Sequence, residues 1–273
     1  MRARPGSADD CGVAATERLT WLGHATVVVE VAGARLLTDP VLRNRVAHLR
    51  RLSPPLHSAA SADIDAVLVS HLHFDHLDVP SLRRLGRSIP LFVPRGAGRF
   101  LRRVGFTDVT ELGAGDEVDV GRARVTALRA DHDGRRRPLG PAAETLGFAL
   151  AGEKTVYFAG DTDLFDDMAS LAGLVDVALL PVWGWGPTLG PGHMDPAAAA
   201  RAVALLRPRV AVPIHWGTLF PVGLEHLRRA ALFEPPRAFA RLVAEAGDDV
   251  VVRVLSPGDS LDLDSALDGD APR

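Results

Sequence analysis

The chain has 273 residues, 47% hydrophobic and 24% charged, with a formal net charge of −3. A chain this long buries a sizeable core without disulfide staples, and this charge gives no general attraction to nucleic acid or anionic membrane. The single cysteine, Cys11, excludes an internal disulfide and argues against a cysteine-based zinc site or a thiolate nucleophile.

Residues 1–17 are small and polar without a period, which predicts a disordered leader. The leader has arginines but no apolar core, so it does not read as a signal peptide. No apolar run approaches the roughly 18 residues of a bilayer span. The expectation is a cytoplasmic protein without stable membrane insertion. Strands are predicted at Leu19–Trp21, Val27–Val31 and Arg35–Leu37, the last two joined through Ala32-Gly33-Ala34. Ala66–Val69 reads as a buried strand, followed by a short helix over 80–85 that stops near Gly86. A strand at Leu91–Val93 and a helix over 96–104 come next. Residues 116–130 and 145–160 carry β runs broken by turns, and Val175–Pro181 is a further buried strand. Asp195 before Pro196 marks a helix start, with the helix ending at Pro208. Then come a strand at Arg209–Ile214, a helix over 236–246 and a last strand at Val250–Leu255, with a loose acidic tail over 264–273. Strands with helices between them in one domain, 18–263, predict an α/β or α+β layered fold.

The chemistry is concentrated in Ser70-His71-Leu72-His73-Phe74-Asp75-His76-Leu77-Asp78, directly after the strand Val67-Leu68-Val69. Three imidazoles and a carboxylate crowded together repel or desolvate one another unless a cation draws them in. Neutral imidazole and carboxylate oxygen are ligands for zinc and similar divalent metals. His71 and His73 can converge on one ion, while Asp75 and His76 can turn toward a second. Two ions need more ligands than this loop supplies. His132, Asp161 and His215 each stand at or just after a predicted strand end, and Gly160 lets the backbone turn sharply before Asp161.

His71-Leu72-His73-Phe74-Asp75-His76 resembles the HxHxDH signature of the metallo-β-lactamase superfamily, and the later order His132, Gly160-Asp161-Thr162, His215 resembles it too. The resemblance implies an αββα sandwich, two mixed sheets between helices, with a two-metal site at one edge. Trp21-Leu22-Gly23-His24-Ala25-Thr26, Thr38-Asp39-Pro40, Gly192-His193-Met194-Asp195-Pro196 and Ile214-His215-Trp216-Gly217-Thr218 resemble one branch. That branch holds the ascorbate-6-phosphate lactonase-like hydrolases and the N-acyl-phosphatidylethanolamine phospholipase D-like proteins. The resemblance implies a first metal held by His71, His73 and His132, a second by Asp75, His76 and His215, and Asp161 bridging them. Zinc is the expected metal, with manganese or iron as alternatives.

Two such ions lower the pKa of a shared water to near 7, so a binuclear hydrolase needs no side-chain nucleophile. Asp75 is the candidate to orient that water, and His193 the candidate to contact substrate or protonate the leaving group. His24 and Asp39 are expected to support the imidazoles or line the pocket. Arg136, among Arg135, Arg136 and Arg137, is expected to face the site as a phosphate clamp. Trp183 and Trp185 are expected either in the core or as a hydrophobic pocket wall. His48, His57 and His226 read as surface residues. The expected substrate is a phosphodiester or phosphorylated small molecule. A lactone or other cyclic ester is the alternative on the same site. A catalytically silent metal-binding protein is a third reading, against which the complete ligand set argues. No nucleic-acid partner is expected, and hydrolases of this branch often form homo-oligomers.

Overall fold

The computed structural model describes residues 16–54, 58–136, 140–183, 190–224 and 232–268. In the first half, β1 (Arg18–Gly23), β2 (Thr26–Val31) and β3 (Ala34–Thr38) form an antiparallel meander. Two short strands follow, β4 (Arg45–Val46) and β5 (Leu49–Arg51), then β6 (Ala66–Leu68), α1 (Val79–Leu85), β7 (Leu91–Pro94), α2 (Gly98–Arg103) and β8 (Val109–Leu112). The second half begins with a meander of β9 (Glu117–Val120), β10 (Ala123–Arg129), β11 (Leu146–Ala151) and β12 (Thr155–Phe158). It continues through β13 (Val177–Pro181), α3 (Pro196–Leu206), β14 (Val210–Ile214), β15 (Leu219–Pro221), α4 (Glu234–Ala246), β16 (Val251–Val252), β17 (Ser260–Asp262) and α5 (Leu263–Leu267).

Two seven-stranded sheets result, ordered β17-β1-β2-β3-β6-β7-β8 and β16-β14-β13-β12-β11-β10-β9. Both are mixed. The meanders are antiparallel, whereas β3-β6-β7-β8 and β12-β13-β14-β16 run parallel. A third sheet, β15-β5-β4, is small.

The period of two in the strands sets the layers. Val27, Val29 and Val31 of β2, with Leu36 and Leu68, pack into the large core with Val125, Phe148, Leu150 and Phe158 of the second sheet. Val28, Leu37 and Val67 point the other way, to a core with Leu82 of α1 and Leu101 of α2. The second sheet's outer face is covered by α3 and α4, through Ala199, Ala202, Val203, Phe239 and Val243. Phe239 and Val243, four apart, lie on one face of α4. Full burial of a side chain like Phe239 is worth about 1.5–3 kcal/mol. This is the expected αββα layering.

The helix starts are where local chemistry placed them. Asp195 accepts from Ala198 N–H at 2.7 Å and Pro196 takes the first helical position. Arg207, at φ 50°, ends α3 ahead of Pro208.

Four expectations are corrected. The leader's last residue is not loose: Glu17 is buried, and its carboxylate accepts from the backbone of Ala32, Glu153 and Lys154. That ties the β2–β3 turn to the β11–β12 turn. The strand at 250–255 shrinks to Val251–Val252. The acidic tail orders at its start, because Asp262 caps α5 and Leu263, Ala266 and Leu267, spaced three and four apart, reach the core. Finally, β4, β5, β8, β15 and β17 were not predicted, since strands of two to four residues are too short to show a period. Among the described residues no helix is long and apolar enough to cross a membrane.

Candidate metal centre

Most of the chemistry-bearing side chains follow directly on a strand, at the same edge of the two sheets. Asp39 follows β3, His71 to His76 follow β6, His132 follows β10, Asp161 follows β12 and His215 follows β14. His24 sits in the β1–β2 turn. His24, Asp39 and His215 all adopt positive φ, at 55°, 36° and 63°. Such backbone costs of order 1–3 kcal/mol per residue and collects at functional sites.

Among the described residues three groups of side chains emerge; one of them, Asp39, His71 and His76, shares its two histidines with the other two groups. In one of those two, the ligand atoms of His71, His73, His132 and Asp161 all lie within 4.8 Å of one another; in the other, those of His24, Asp75, His76 and His215 do. Asp161 lies between them. Its Oδ2 is 3.2 Å from His76 Nε2 and 4.0 Å from both His71 Nε2 and His132 Nε2, and its Oδ1 is 3.2 Å from His215 Nε2.

The donor set fits divalent cations. In two places ring nitrogens face one another: His76 Nε2 is 3.2 Å from His215 Nε2, and His132 Nε2 is 3.1 Å from His73 Nδ1. The far nitrogens are held from outside. His132 Nδ1–H donates to Gly192 O at 2.6 Å and His215 Nδ1–H donates to Trp183 O. A carbonyl can only accept, so both Nε2 atoms are bare lone pairs aimed inward. His76 Nδ1–H donates to Asp39 Oδ2 at 2.7 Å. Ser70 gives its hydroxyl proton to the same Oδ2 and is left to accept from His71 Nδ1–H at 2.9 Å. His71 Nε2 is buried without a hydrogen-bond partner, as is Asp161 Oδ1. Orphaned acceptors of this kind are costly unless something electropositive sits among them.

Electrostatics agree. Burial lowers His71 well below the usual imidazole value, helped by His76 and His132. Burial also lowers His73 and His215, takes His132 to about 4 and, with His215, takes His24 to about 3. These five rings are neutral at pH 7, the form that binds metal. Burial opposes ionisation of Asp75 and Asp161, yet the surrounding imidazoles hold both carboxyls well below their normal range. His76 is the exception: burial pushes it down, but Asp161 and Asp39 together raise it.

Two glycines make the geometry reachable. Gly192 has φ +83°, and a Cβ there would lie 2.9 Å from His132 Nδ1. Gly160 has φ +63°, and a Cβ there would lie 2.8 Å from Ser70 Cβ.

The remaining expectations divide. His193 joins the site: its Nε2 is 3.7 Å from Asp161 Oδ2 and its ring meets that of His132 edge-on at 4.6 Å. Asp39 and His24 hold His76 and Asp75 respectively. Arg136 does not face the site as a phosphate clamp. It is buried behind the histidine loop, with one Nη1 donating to Leu72 O at 2.8 Å and Leu77 O at 3.0 Å, and its guanidinium over the Phe74 ring at 4.2 Å. The loop's carbonyls take a donor that sequence spacing left for substrate. Arg135 is exposed and pairs with Asp133. Trp183 is half-buried and stacks on Phe220 at 6.3 Å. His48 is exposed, as expected. Trp185, Arg137, His57 and His226 lie outside the described residues.

Sequence reasoning missed four supporting groups. Ser70 had a visible signal, its place between strand and first histidine. Thr218 and Gly192 stood inside sequence motifs, but nothing there marked their hydrogen-bonding roles, and Arg51 had no signal at all. Arg51 is buried, and desolvation lowers its pKa to about 10; it donates to Leu22 O and Val41 O.

A β-lactamase superfamily domain matches residues 34–216, and the chain belongs to that family. It is 34% identical over 251 residues to a metal-dependent hydrolase of the UPF0173 group from Methanopyrus kandleri, covering 89% of this chain and 98% of that protein. It is 33% identical over 231 residues to an N-acyl-phosphatidylethanolamine-hydrolyzing phospholipase D from Caenorhabditis elegans, covering 75% of this chain and 64% of that one. Among solved structures it resembles a metallo hydrolase from Ignicoccus hospitalis, with a TM-score of 0.68, 27% identity, and coverage of 90% of this chain and 98% of the other. Family and site together define a metal-dependent hydrolase of the metallo-β-lactamase superfamily.

Proposed function

We propose that the protein is a binuclear hydrolase acting on a phosphodiester or phosphorylated small molecule. His71, His73 and His132 would hold one ion, Asp75, His76 and His215 would hold the other, and Asp161, between the two groups, would serve both. The observation that carries this reading is the carboxylate of Asp161, within 4.0 Å of both groups of imidazole nitrogens. Zinc suits a set of neutral imidazoles and carboxylates, and manganese or iron are the alternatives. The similarity to a phospholipase D supports phosphorus as the reacting centre.

Two ions bound there supply an activated water and stabilise the negative charge of the transition state. The chain's own residues do the rest. Asp75, whose Oδ2 accepts from His24, is the group that orients the attacking water. His193 is partly exposed beside Asp161, and its Nε2 is placed to give a proton to the departing oxygen. The outer partners Asp39, Ser70, Gly192 and Trp183 hold the rings so that little reorganisation is needed.

A second reading is hydrolysis of a lactone or other cyclic ester. It is favoured by Arg136, whose guanidinium is committed to the histidine loop, and by the aromatic pair Trp183 and Phe220 beside His215.

The test is hydrolysis of a chromogenic phosphodiester by the protein reloaded with zinc or manganese, with Asp161→Ala as control. Metal-dependent turnover that vanishes in the variant supports the proposal. No turnover with two ions bound per chain moves the reaction to carbonyl esters. No stoichiometric metal overturns the ligand assignment.

A further inference from the structure

The β1–β2 turn reaches one half of the centre. His24 Nε2 lies 3.0 Å from Asp75 Oδ2. Its ring centroid is 3.9 Å from that of His215 and 5.2 Å from that of His76. Its carbonyl accepts from the backbone N–H of His215 at 3.0 Å. These contacts all fall on the Asp75, His76 and His215 side.

The turn is held from several directions. Thr218 Oγ1 accepts from His24 N–H at 2.8 Å, and Trp21 Nε1–H donates to His24 O at 2.9 Å. Arg51 Nη1 donates to Leu22 O at 3.0 Å. A Cβ on Gly23 would lie 2.8 Å from the Thr218 side chain. These constraints offset the cost of a positive φ at His24. An ionised carboxylate only accepts, so the proton of the contact sits on His24 Nε2. Asp75 itself stands in the loop after β6 and is more exposed than the imidazoles it joins, at 17% against 3% for His215. A carboxylate in that position needs an outside donor to keep one rotamer.

We propose that His24 is a positioning residue for the second ion alone: by holding Asp75 Oδ2 it sets the affinity of the Asp75, His76 and His215 half without touching the His71, His73 and His132 half. The inference rests on the two-ion reading above.

The experiment counts ions and measures their two affinities by titrating zinc in a chelator buffer, for the full chain and for His24→Ala and His24→Gln. The visible spectrum of the second cobalt(II) equivalent is recorded in parallel, and near-UV circular dichroism confirms the fold. Wild type is expected to bind two ions. His24→Ala is expected to keep the first affinity and lose about 10- to 100-fold in the second. His24→Gln places an amide donor near the position of Nε2 and is expected to recover most of that loss. The proposal is overturned if His24→Ala keeps both affinities, or if it weakens both equally, the mark of a general structural role. It is also overturned if His24→Gln binds the second ion as poorly as alanine does, because the ring would then be a ligand itself. A wild-type protein that takes only one ion defeats the two-ion reading, and this inference with it; a failure with two ions in the wild type defeats the inference alone.

Discussion

The carboxylate of Asp39 accepts from His76 Nδ1–H at 2.7 Å, and neither side chain is exposed to solvent. The same oxygen accepts from Ser70, which in turn accepts from His71. One buried carboxylate therefore orients an imidazole in each half of the centre. Asp39→Asn is expected to weaken both zinc affinities, each by about 10- to 100-fold. Ser70→Ala is expected to weaken chiefly the half that contains His71. Zinc titration in chelator buffer checks both, and equal effects of the two variants would contradict the arrangement.

Gly192 supplies the carbonyl that fixes His132, and it does so at a φ that side chains resist. In Gly192→Ala the new methyl would press on the ring it is meant to hold. A stability loss of about 1–3 kcal/mol is expected from backbone strain, together with weaker binding of the ion proposed for the His71, His73 and His132 group. Chemical denaturation and the same titration separate the two effects. A variant that melts normally and binds both ions as wild type does would show that the loop yields.

Arg136 distinguishes a clasp from a substrate clamp. Arg136→Met leaves the carbonyls of Leu72 and Leu77 without this donor, at about 1–3 kcal/mol for a buried unmet group. The expected signature is lower stability, with KM for a phosphodiester changed little in the folded fraction. A large rise in KM with unchanged stability would return Arg136 to the substrate.

The pH dependence of the metal-free protein follows from the neutral histidines. His132 titrates near 4 and His24 near 3 in the fold, both below the ordinary value of 6.5. Between pH 6.5 and about 4 the unfolded chain binds protons that the folded chain refuses. Stability therefore falls as pH is lowered through that window, by about 1.4 kcal/mol per pH unit for each such histidine at most. His76 has the opposite sign, but its raised pKa acts above 6.5. The lowered carboxyls Asp75 and Asp161 act below 3.8. Urea unfolding in chelator at pH 6.5, 5.5 and 4.5 tests this, and a flat profile would contradict it.

The layered class, most strand and helix positions and the histidines and aspartates that converge at the site were legible in the sequence, because each rests on local rules. Alternation of Val27 to Val31 marks a strand, Asp195-Pro196 starts a helix, and His71 to His76 concentrates more imidazole than an ordinary loop tolerates. The tertiary structure decided what depends on distant partners. Arg136 is the clearest case: spacing placed it near the metals, but two loop carbonyls 64 and 59 residues away in sequence took its guanidinium. Likewise Asp39 and His24 came to hold His76 and Asp75 only when the first sheet brought the ends of β1 and β3 beside the loop after β6. A side chain's type fixes which bonds it can make, and the packing of remote strands selects which of them it does make.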